Sequence, residues 1–391
     1  MKTVYVDNNA TTKVAPEVLE AMLPYFTEYY GNPSSMHFFG GQVQKKINEA
    51  REQVADLLGA EPSEIVFTSC GTESDNAAIF GTLDSYPERR HFVTTRVEHP
   101  AVGNVSTYLA RKGYRVSELS VDREGRLDLD ELRETVTEET ALVSVMFANN
   151  ETGVIFPVEQ IGAIVKEKGI PFHTDAVQAV GKIPINLKES TIDMLSLSGH
   201  KLHAPKGIGV LYIRKGTKFS PYMIGGHQER GRRGGTENVP YIIGLGKACE
   251  LAKAHMEEEN TRVRALRDYL EAKILEKIPN TLVNGDRMNR LPNTLSVSFE
   301  YVEGESILLL LSDLGICASS GSACTSGSLE PSHVLRAMGV PFTAAHGSVR
   351  FSLSIYNTKE EMDYIIEHLP GIIQRLRDIS PFWHDYVKGR K

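Results

Sequence analysis

The sequence has few cysteines and no long apolar run. Four cysteines occur in 391 residues and no two of them form a CxxC pair, which argues against a disulfide scaffold and a structural zinc site. At least one thiol is therefore available to react. No stretch of about 18 uncharged apolar residues is present, so we expect no membrane span. The N-terminus contains no cleavable apolar segment, which predicts a cytoplasmic protein.

Basic residues are too scattered for a nucleic-acid-binding surface. The net charge is −7 and no block of five or more basic residues occurs, so we expect no nucleic-acid partner. The remaining composition, 41% hydrophobic and 24% charged, is that of an ordinary folded protein. A chain of this length is expected to form about two or three domains.

Short apolar runs alternate with helical patterns over about 200 residues. The runs are bounded by Gly, Asn, Asp or Pro and predict buried strands at 65–67, 92–95, 142–147, 170–172 and 194–197. Apolar residues at helical spacing predict helices at 41–58, 100–112, 129–136 and 158–168. This alternation is typical of α/β proteins, in which helices cover a mostly parallel sheet and ligands bind beyond the carboxyl ends of the strands.

The pattern changes near residue 242. One long helix rich in Glu, Lys and Ala is predicted from Ile242 to Leu275, and strands are expected again at 294–299 and 347–352. We therefore predict a large α/β domain over 15–260. A smaller α+β domain is predicted to combine 1–14 with 261–391.

A lysine lies between the apolar run 192–195 and an expected strand at 209–213. A lysine at the end of a buried strand, as predicted for Lys201, can be desolvated, which lowers its pKa toward the amine form that a Schiff base requires. The alternative is a solvated loop lysine. His200 and His203 form an HxxH pair around it, but no third ligand accompanies them, so we expect no metal site.

Two further segments of the same α/β region favour a cofactor. Asp175 is expected at a strand end, and an aspartate under a pyridine ring keeps the ring nitrogen protonated. A helix N-cap is the alternative. Gly71 and Thr72 lie where a strand passes into a helix, and free backbone N–H groups there suit a phosphate dianion. A capping box formed by Thr72 or Ser69 is the alternative for that segment.

This combination resembles the aspartate-aminotransferase-like (fold type I) pyridoxal-phosphate enzymes. Within that group, strings at 6–12, 31–35, 97–100, 148–153, 173–178 and 319–328 are similar, in the same order, to those of class V cysteine desulfurases. The likeness runs from about residue 4 to residue 380. The Ser/Gly-rich string around Cys324 and the segment 225–238 resemble the nitrogen-fixation type, which supplies sulfur for iron–sulfur clusters.

The resemblance implies pyridoxal 5'-phosphate as the cofactor. It implies that Lys201 carries the covalent link to the cofactor, that Asp175 pairs with the pyridine nitrogen, and that His99 stacks on the ring as an acid–base group. Asn150 and Gln178 are expected to contact the ring's phenolate oxygen or the bound substrate. A capping or core position is the alternative for His99.

The resemblance also implies how two anionic groups are bound. Phosphate ligands are expected to be Gly71, Thr72, Ser198, His200 and, from the second subunit of a homodimer, Thr236. Arg350 is expected to bind the α-carboxylate of L-cysteine, because its planar fork matches a carboxylate. The alternative for Arg350 is a strand position that faces solvent.

Cys324 is expected to be the sulfur-carrying nucleophile. A Ser/Gly-rich loop adds little bulk around the thiol, so sulfur could pass from a buried cofactor to an acceptor such as an iron–sulfur scaffold protein. Cys317 lies in an apolar run and is expected to be packed. The alternative activity is selenocysteine lyase, which could dispense with a cysteine nucleophile. A non-catalytic binding protein would not need Lys201, Asp175 and Arg350 together.

Overall fold

The computed structural model describes residues 3–320 and 331–389. The strands in these ranges are β1 (Val4–Tyr5), β2 (Ile65–Thr68), β3 (His91–Thr95), β4 (Arg115–Leu119), β5 (Thr140–Ser144), β6 (Phe172–Asp175), β7 (Met194–Ser198), β8 (Gly209–Ile213), β9 (Thr281–Val283), β10 (Thr294–Phe299), β11 (Ile316–Cys317) and β12 (Ser348–Ser352). The helices are α1 (Pro16–Met22), α2 (Pro24–Thr27), α3 (Phe38–Leu58), α4 (Gly71–Ser85), α5 (Pro100–Arg111), α6 (Leu129–Thr135), α7 (Val158–Glu167), α8 (Val239–Ala254), α9 (Met256–Glu258), α10 (Arg264–Lys277), α11 (Gly304–Asp313), α12 (His333–Ala337), α13 (Phe342–Ala345), α14 (Lys359–Ile379) and α15 (Pro381–Lys388).

A seven-stranded sheet forms the centre of the chain, with the order β2-β8-β7-β6-β5-β3-β4. All neighbouring pairs are parallel except those of β8, which runs antiparallel to β2 and to β7. Helices pack on both faces of this sheet, with α3, α7 and α8 contributing to one apolar core and α4 and α5 to another. The predicted α/β class with a mostly parallel sheet is confirmed.

One strand begins and ends later in the chain than predicted, and it includes polar residues. A strand was expected at 170–172, whereas β6 begins at Phe172 and continues to Asp175. His173 is fully buried inside it because its two ring nitrogens make hydrogen bonds of 2.8 and 2.9 Å with the hydroxyls of Ser144 and Ser196. A search for apolar runs misses buried strand residues of this kind, because the side chains are polar and only the fold brings their hydrogen-bond partners together.

The single long helix predicted from Ile242 to Leu275 is wrong. The chain forms α8, the short α9, a π turn at Glu259–Val263, and α10. Polar contacts to distant backbone stabilise the interruption: Asn260 Nδ2 donates to the carbonyl of Lys182 at 2.8 Å, and Arg262 donates to the carbonyls of Ile355 and Asn357. The helical periodicity continues across the break and gives no sign of it.

The second half of the chain builds a separate apolar core. It contains Val4 and Val6 from the N-terminus together with side chains of α10, α14, β10 and β12. A three-stranded antiparallel sheet, β12-β10-β9, lies there, and β1 pairs in parallel with β11. Among the described residues, no helix combines the length and the apolar character that crossing a bilayer requires.

Candidate active site

A cavity of about 270 Å³ lies at the carboxyl ends of β6 and β7. Ten of the twelve predicted site residues line it: Gly71, Thr72, His99, Asn150, Asp175, Gln178, Ser198, His200, Lys201 and Arg350. Thr236 is exposed and is not among the residues that line the cavity. Cys324 lies outside the described residues.

Lys201 ends a short 3₁₀ turn, Gly199–Lys201, that directly follows β7. Its Nζ donates hydrogen bonds to the backbone carbonyls of Asn9 and Ala10 at 2.5 and 2.7 Å. Burial, together with the positive charges of Lys182 and Arg350, lowers the pKa of Lys201 to about 7. The side chain therefore titrates near neutral pH and can act as a nucleophilic amine or as a base, unlike a solvated loop lysine.

Asp175 ends β6, opposite Ser196 of the parallel strand β7. Its Oδ1 accepts a hydrogen bond of 2.9 Å from the backbone N–H of Val177. Burial raises the pKa of Asp175. Asp75 is also buried, and its pKa is raised by burial and by the charge of Asp175, while its Oδ1 has no hydrogen-bond partner among the described residues. Two buried carboxyl groups make this part of the cavity suited to a ligand group that carries a proton or a positive charge.

The N-terminus of α4 is open toward the cavity. The residue that precedes the helix, Cys70, makes no capping hydrogen bond with its side chain. A Cβ atom at position 71 would lie 2.8 Å from Cγ2 of Val177, so glycine lets the helix start come close to the loop after β6. Glu73 accepts from the backbone N–H of Ser69 at 2.7 Å. Since no side chain caps the helix, its N-terminus can bind an anion.

His99 lines the cavity, as predicted, and it also caps a helix, which was the alternative. It is the N-cap of α5, and its Nδ1 accepts a hydrogen bond of 3.1 Å from the backbone N–H of Ala101. In the neutral ring the proton must therefore be on Nε2. Burial lowers the pKa of His99 in spite of the opposing charge of Asp175, so the ring is a neutral donor in the cavity at physiological pH.

Arg350 lies on β12 and is 2% exposed, so it does not face solvent. Its Nη2 donates to Oδ1 of Asp7 at 2.9 Å and its Nη1 donates to the carbonyl of Asn150 at 2.7 Å. Since Asp7 and a backbone carbonyl orient the guanidinium, it enters the cavity in a fixed position. A fixed guanidinium matches the geometry of a carboxylate.

Two further predicted residues, Gln178 and His200, are held by polar contacts at the cavity wall. Gln178 donates from Nε2 to the carbonyl of Asn9 at 3.0 Å. Nδ1 of His200 lies 3.1 Å from the hydroxyl of Thr11. Burial and the charge of Lys201 lower the pKa of His200 to about 4, so this ring is neutral.

The sequence analysis missed several residues that line the cavity, among them Asn9, Asp75, Glu151 and His333. Asp75 follows Gly71 at helical spacing, a signal that could have placed both on the same side of α4. Glu151 and His333 carry no such signal. The hydroxyl of Ser332 donates to the carboxylate of Glu151, a contact that depends on the tertiary fold alone.

These features fit pyridoxal phosphate. The open start of α4 suits the phosphate, and the buried carboxyl groups of Asp75 and Asp175 suit a protonated ring nitrogen. Lys201 supplies an amine that titrates near neutral pH. The cavity thus contains a suitable partner for each part of the cofactor and, in Arg350, a cation for a substrate carboxylate.

The chain is similar to known proteins over nearly its whole length. The family model for aminotransferase class-V proteins matches residues 4–365. A cysteine desulfurase of Trichormus azollae is 64% identical, and the cysteine desulfurase NifS of Azotobacter vinelandii is 62% identical, each over 98% of this chain and 96% of its own length. A solved NifS-like protein has a TM-score of 0.90 at 43% identity over 96% of this chain and 100% of its own. The structure of SspA in complex with cysteine has a TM-score of 0.80 at 38% identity, over 90% and 99%.

The chain belongs to the aminotransferase class-V family of fold type I. Relatives at 62–64% identity over nearly the whole chain carry the name cysteine desulfurase, and one of them is NifS. The predicted resemblance to cysteine desulfurases of the nitrogen-fixation type is therefore confirmed, and so is pyridoxal phosphate as the cofactor. The selenocysteine lyase alternative is not favoured.

Proposed function

We propose that the protein is a cysteine desulfurase that converts L-cysteine to L-alanine and supplies the sulfur for iron–sulfur cluster assembly. One observation carries the proposal: a buried lysine with a pKa of about 7 shares one cavity with Asp175, His99 and Arg350. The names of the relatives support the same activity. Cytoplasmic location is part of the proposal, because a sulfur-carrying thiol requires a reducing compartment.

Four residues of the cavity have defined tasks in this reaction. When bound, pyridoxal phosphate withdraws electrons from the substrate Cα and so makes its proton acidic. Arg350 binds the substrate carboxylate and orients Cα toward Lys201, whose amine accepts the α-proton. Asp175 supplies the negative charge at the ring-nitrogen end of the cavity. His99, neutral with its proton on Nε2, can donate that proton inside the cavity.

Cys324 is the proposed sulfur acceptor. Its thiol loses a proton, and the thiolate forms a bond with the sulfur of L-cysteine while the carbon–sulfur bond of the substrate breaks. The electron pair of that bond stays with the substrate carbon, which takes up a proton and becomes the methyl group of alanine, and Lys201 returns the α-proton to Cα. The sulfur remains on Cys324 as a persulfide until an acceptor such as an iron–sulfur scaffold protein removes it.

The proposal includes a homodimer of two-domain subunits. The large domain, 15–260, would hold the cofactor, and 1–14 with 261–391 would form the small domain that carries the Cys324 loop; the separate core in the second half of the chain supports this division. In the dimer, Thr236 would reach the phosphate of the other subunit. Exposed apolar side chains such as Tyr30, Phe38 and Ile224 support a contact surface of that kind.

The covalent anchor can be located by reducing the cofactor linkage. Borohydride treatment of the holoprotein, followed by peptide mapping, should place the pyridoxyl label on Lys201, because its amine titrates near neutral pH inside the cavity. Lys206, which is exposed, and Lys182, which is buried nearby, serve as internal controls. A label on either of these lysines would overturn the assignment.

Arg350→Gln should weaken the binding of L-cysteine. The change removes the charged, bidentate partner of the substrate carboxylate, so we expect KM to rise about 10- to 100-fold. Arg350→Lys keeps the charge without the fork and should give a smaller rise. Steady-state kinetics against the exposed control Arg123→Gln measure the effect. An unchanged KM would show that another group binds the carboxylate.

A further inference from the structure

A second cavity, of about 50 Å³, lies behind Lys201. It is lined by Lys201 itself and by residues that include Lys182, Glu259, His203 and His255, and we call it the rear cavity. Lys201 therefore lines both cavities. Apart from Lys201, no group of the rear cavity is used in the proposed reaction, although these groups are the neighbours of the reacting amine on its other side.

Two opposite charges are buried at the rear cavity. Lys182 is 5% exposed and Glu259 is 7% exposed. Oε2 of Glu259 has no hydrogen-bond partner among the described residues. A buried carboxyl oxygen without a hydrogen bond is costly, and the ammonium of Lys182 at the same small cavity supplies an opposite charge. The pKa values agree with this pairing: burial lowers that of Lys182 to about 8 against the effect of Glu259, and burial raises that of Glu259 to about 7 against the effect of Lys182.

A short series of hydrogen bonds connects Lys182 to Lys201. Nζ of Lys182 donates to the backbone and side-chain oxygens of Gln178 at 3.1 and 3.3 Å. Nε2 of Gln178 donates to the carbonyl of Asn9 at 3.0 Å, and Lys201 donates to that same carbonyl. A shift of the Lys182 side chain would therefore move a hydrogen-bond acceptor of the reacting amine.

Glu259 is the first residue of the π turn that interrupts the predicted long helix. Turns of this type are rare and occur frequently at functional sites. The next residue, Asn260, donates to the carbonyl of Lys182 at 2.8 Å, which fixes the turn against the segment that carries the lysine. The interruption thus places a carboxyl group at a cavity behind the active site.

We propose that Lys182 and Glu259 are positioning residues for Lys201: the ammonium of Lys182, with Glu259 as its counter-charge, holds Gln178 and the Asn9 carbonyl in the arrangement that orients the reacting amine. The inference deepens the proposed function and rests on the role of Lys201. The charge of Lys182 also lowers the pKa of Lys201. After burial, it is the largest cause of that lowering. Other charged or titratable groups around Lys201 are Asp7, Asp175, His99, His200 and Arg350. Those around the rear cavity and Glu259 are Glu17, His203, His255, Glu258 and Arg262.

The test measures the protonation of Lys201 in the apoprotein, without turnover. Trace acetylation with acetic anhydride over a pH series, read by peptide mass spectrometry, gives the midpoint at which Lys201 becomes reactive. In the unmodified chain we expect a midpoint of about 7. Lys182→Met should move it upward by about one pH unit, because a like charge has been removed. Lys206→Met, at an exposed position, is the matched control and should leave the midpoint unchanged.

Two further variants separate this role from a general loss of structure. Glu259→Gln keeps the size of the side chain and should raise the midpoint by less than Lys182→Met, since Lys182 without its counter-charge is protonated to a smaller extent. The double variant should equal Lys182→Met alone. Lys182→Arg, which keeps the charge, should retain the original midpoint. Thermal unfolding checks that each variant is folded.

The outcomes distinguish the inference from the function on which it rests. A midpoint near the ordinary lysine value of about 10.4 in the unmodified chain would contradict the role of Lys201 itself. A midpoint near neutrality that Lys182→Met and Glu259→Gln both leave in place would overturn only the positioning role. Independent, additive shifts in the double variant would also overturn it, because the two residues are proposed to act as one unit.

Discussion

Lys201→Ala is expected to lower turnover of L-cysteine by at least about 10³-fold. The change removes both the covalent anchor of the cofactor and the base that accepts the α-proton. Pyridoxal phosphate should still bind, because the open start of α4 and the carboxyl group of Asp175 are unaffected. Alanine production and cofactor content are measured on the same preparations.

Lys206→Ala is the control for that experiment. Lys206 lies on the same segment but is exposed, so its loss should leave turnover near that of the unmodified protein. Turnover of Lys201→Ala within about tenfold of the unmodified rate would show that another group performs the proton transfer.

Asp175→Ala is expected to slow removal of the α-proton about 10²- to 10³-fold. The buried carboxyl group at the end of β6 is proposed to keep the ring nitrogen protonated, and without it the cofactor accepts electrons less readily. Exchange of solvent deuterium into the α-position of alanine reports this step directly. The exposed Asp84→Ala on α4 is the control. Exchange at the unmodified rate in Asp175→Ala would exclude the proposed role.

Local patterns predicted the sheet and the positions of Lys201, Asp175 and Gly71, whereas most of the other site residues were predicted from the family resemblance. Strand β7 and the residues after it show an apolar run followed by small residues, which places Lys201 at a strand end. Gly71 and Asp175 likewise lie at the junctions of strands with the next segment. Ligand sites of α/β sheets gather at these junctions, so order along the chain was enough to propose a common site.

Other features depend on contacts that the sequence pattern does not contain. The π turn at Glu259–Val263 is stabilised by contacts of Asn260 and Arg262 with residues far away in sequence. His173 is polar and yet fully buried, because its partners Ser144 and Ser196 come from neighbouring strands. Only the tertiary fold reveals such pairs, which is also why the rear cavity behind Lys201 had no counterpart in the sequence analysis.

His99 lies where both of the alternatives from the sequence analysis place it. His99 was expected either to act on the cofactor or to cap a helix, and it lines the cavity while it caps α5. The capping bond occupies Nδ1 and leaves the proton on Nε2. A structural contact thereby determines which nitrogen can donate, so the two interpretations are parts of one arrangement.

Measuring both products of turnover tests whether the sulfur of L-cysteine passes through Cys324. The holoprotein is incubated with L-cysteine and a thiol reductant, and alanine and sulfide are measured together in the unmodified chain, Cys324→Ala and Cys317→Ala. We expect alanine and sulfide in equal amounts from the unmodified chain and from Cys317→Ala. We expect neither product at a useful rate from Cys324→Ala. Equal and undiminished amounts from Cys324→Ala would contradict sulfur transfer through that thiol and would favour a lyase reaction.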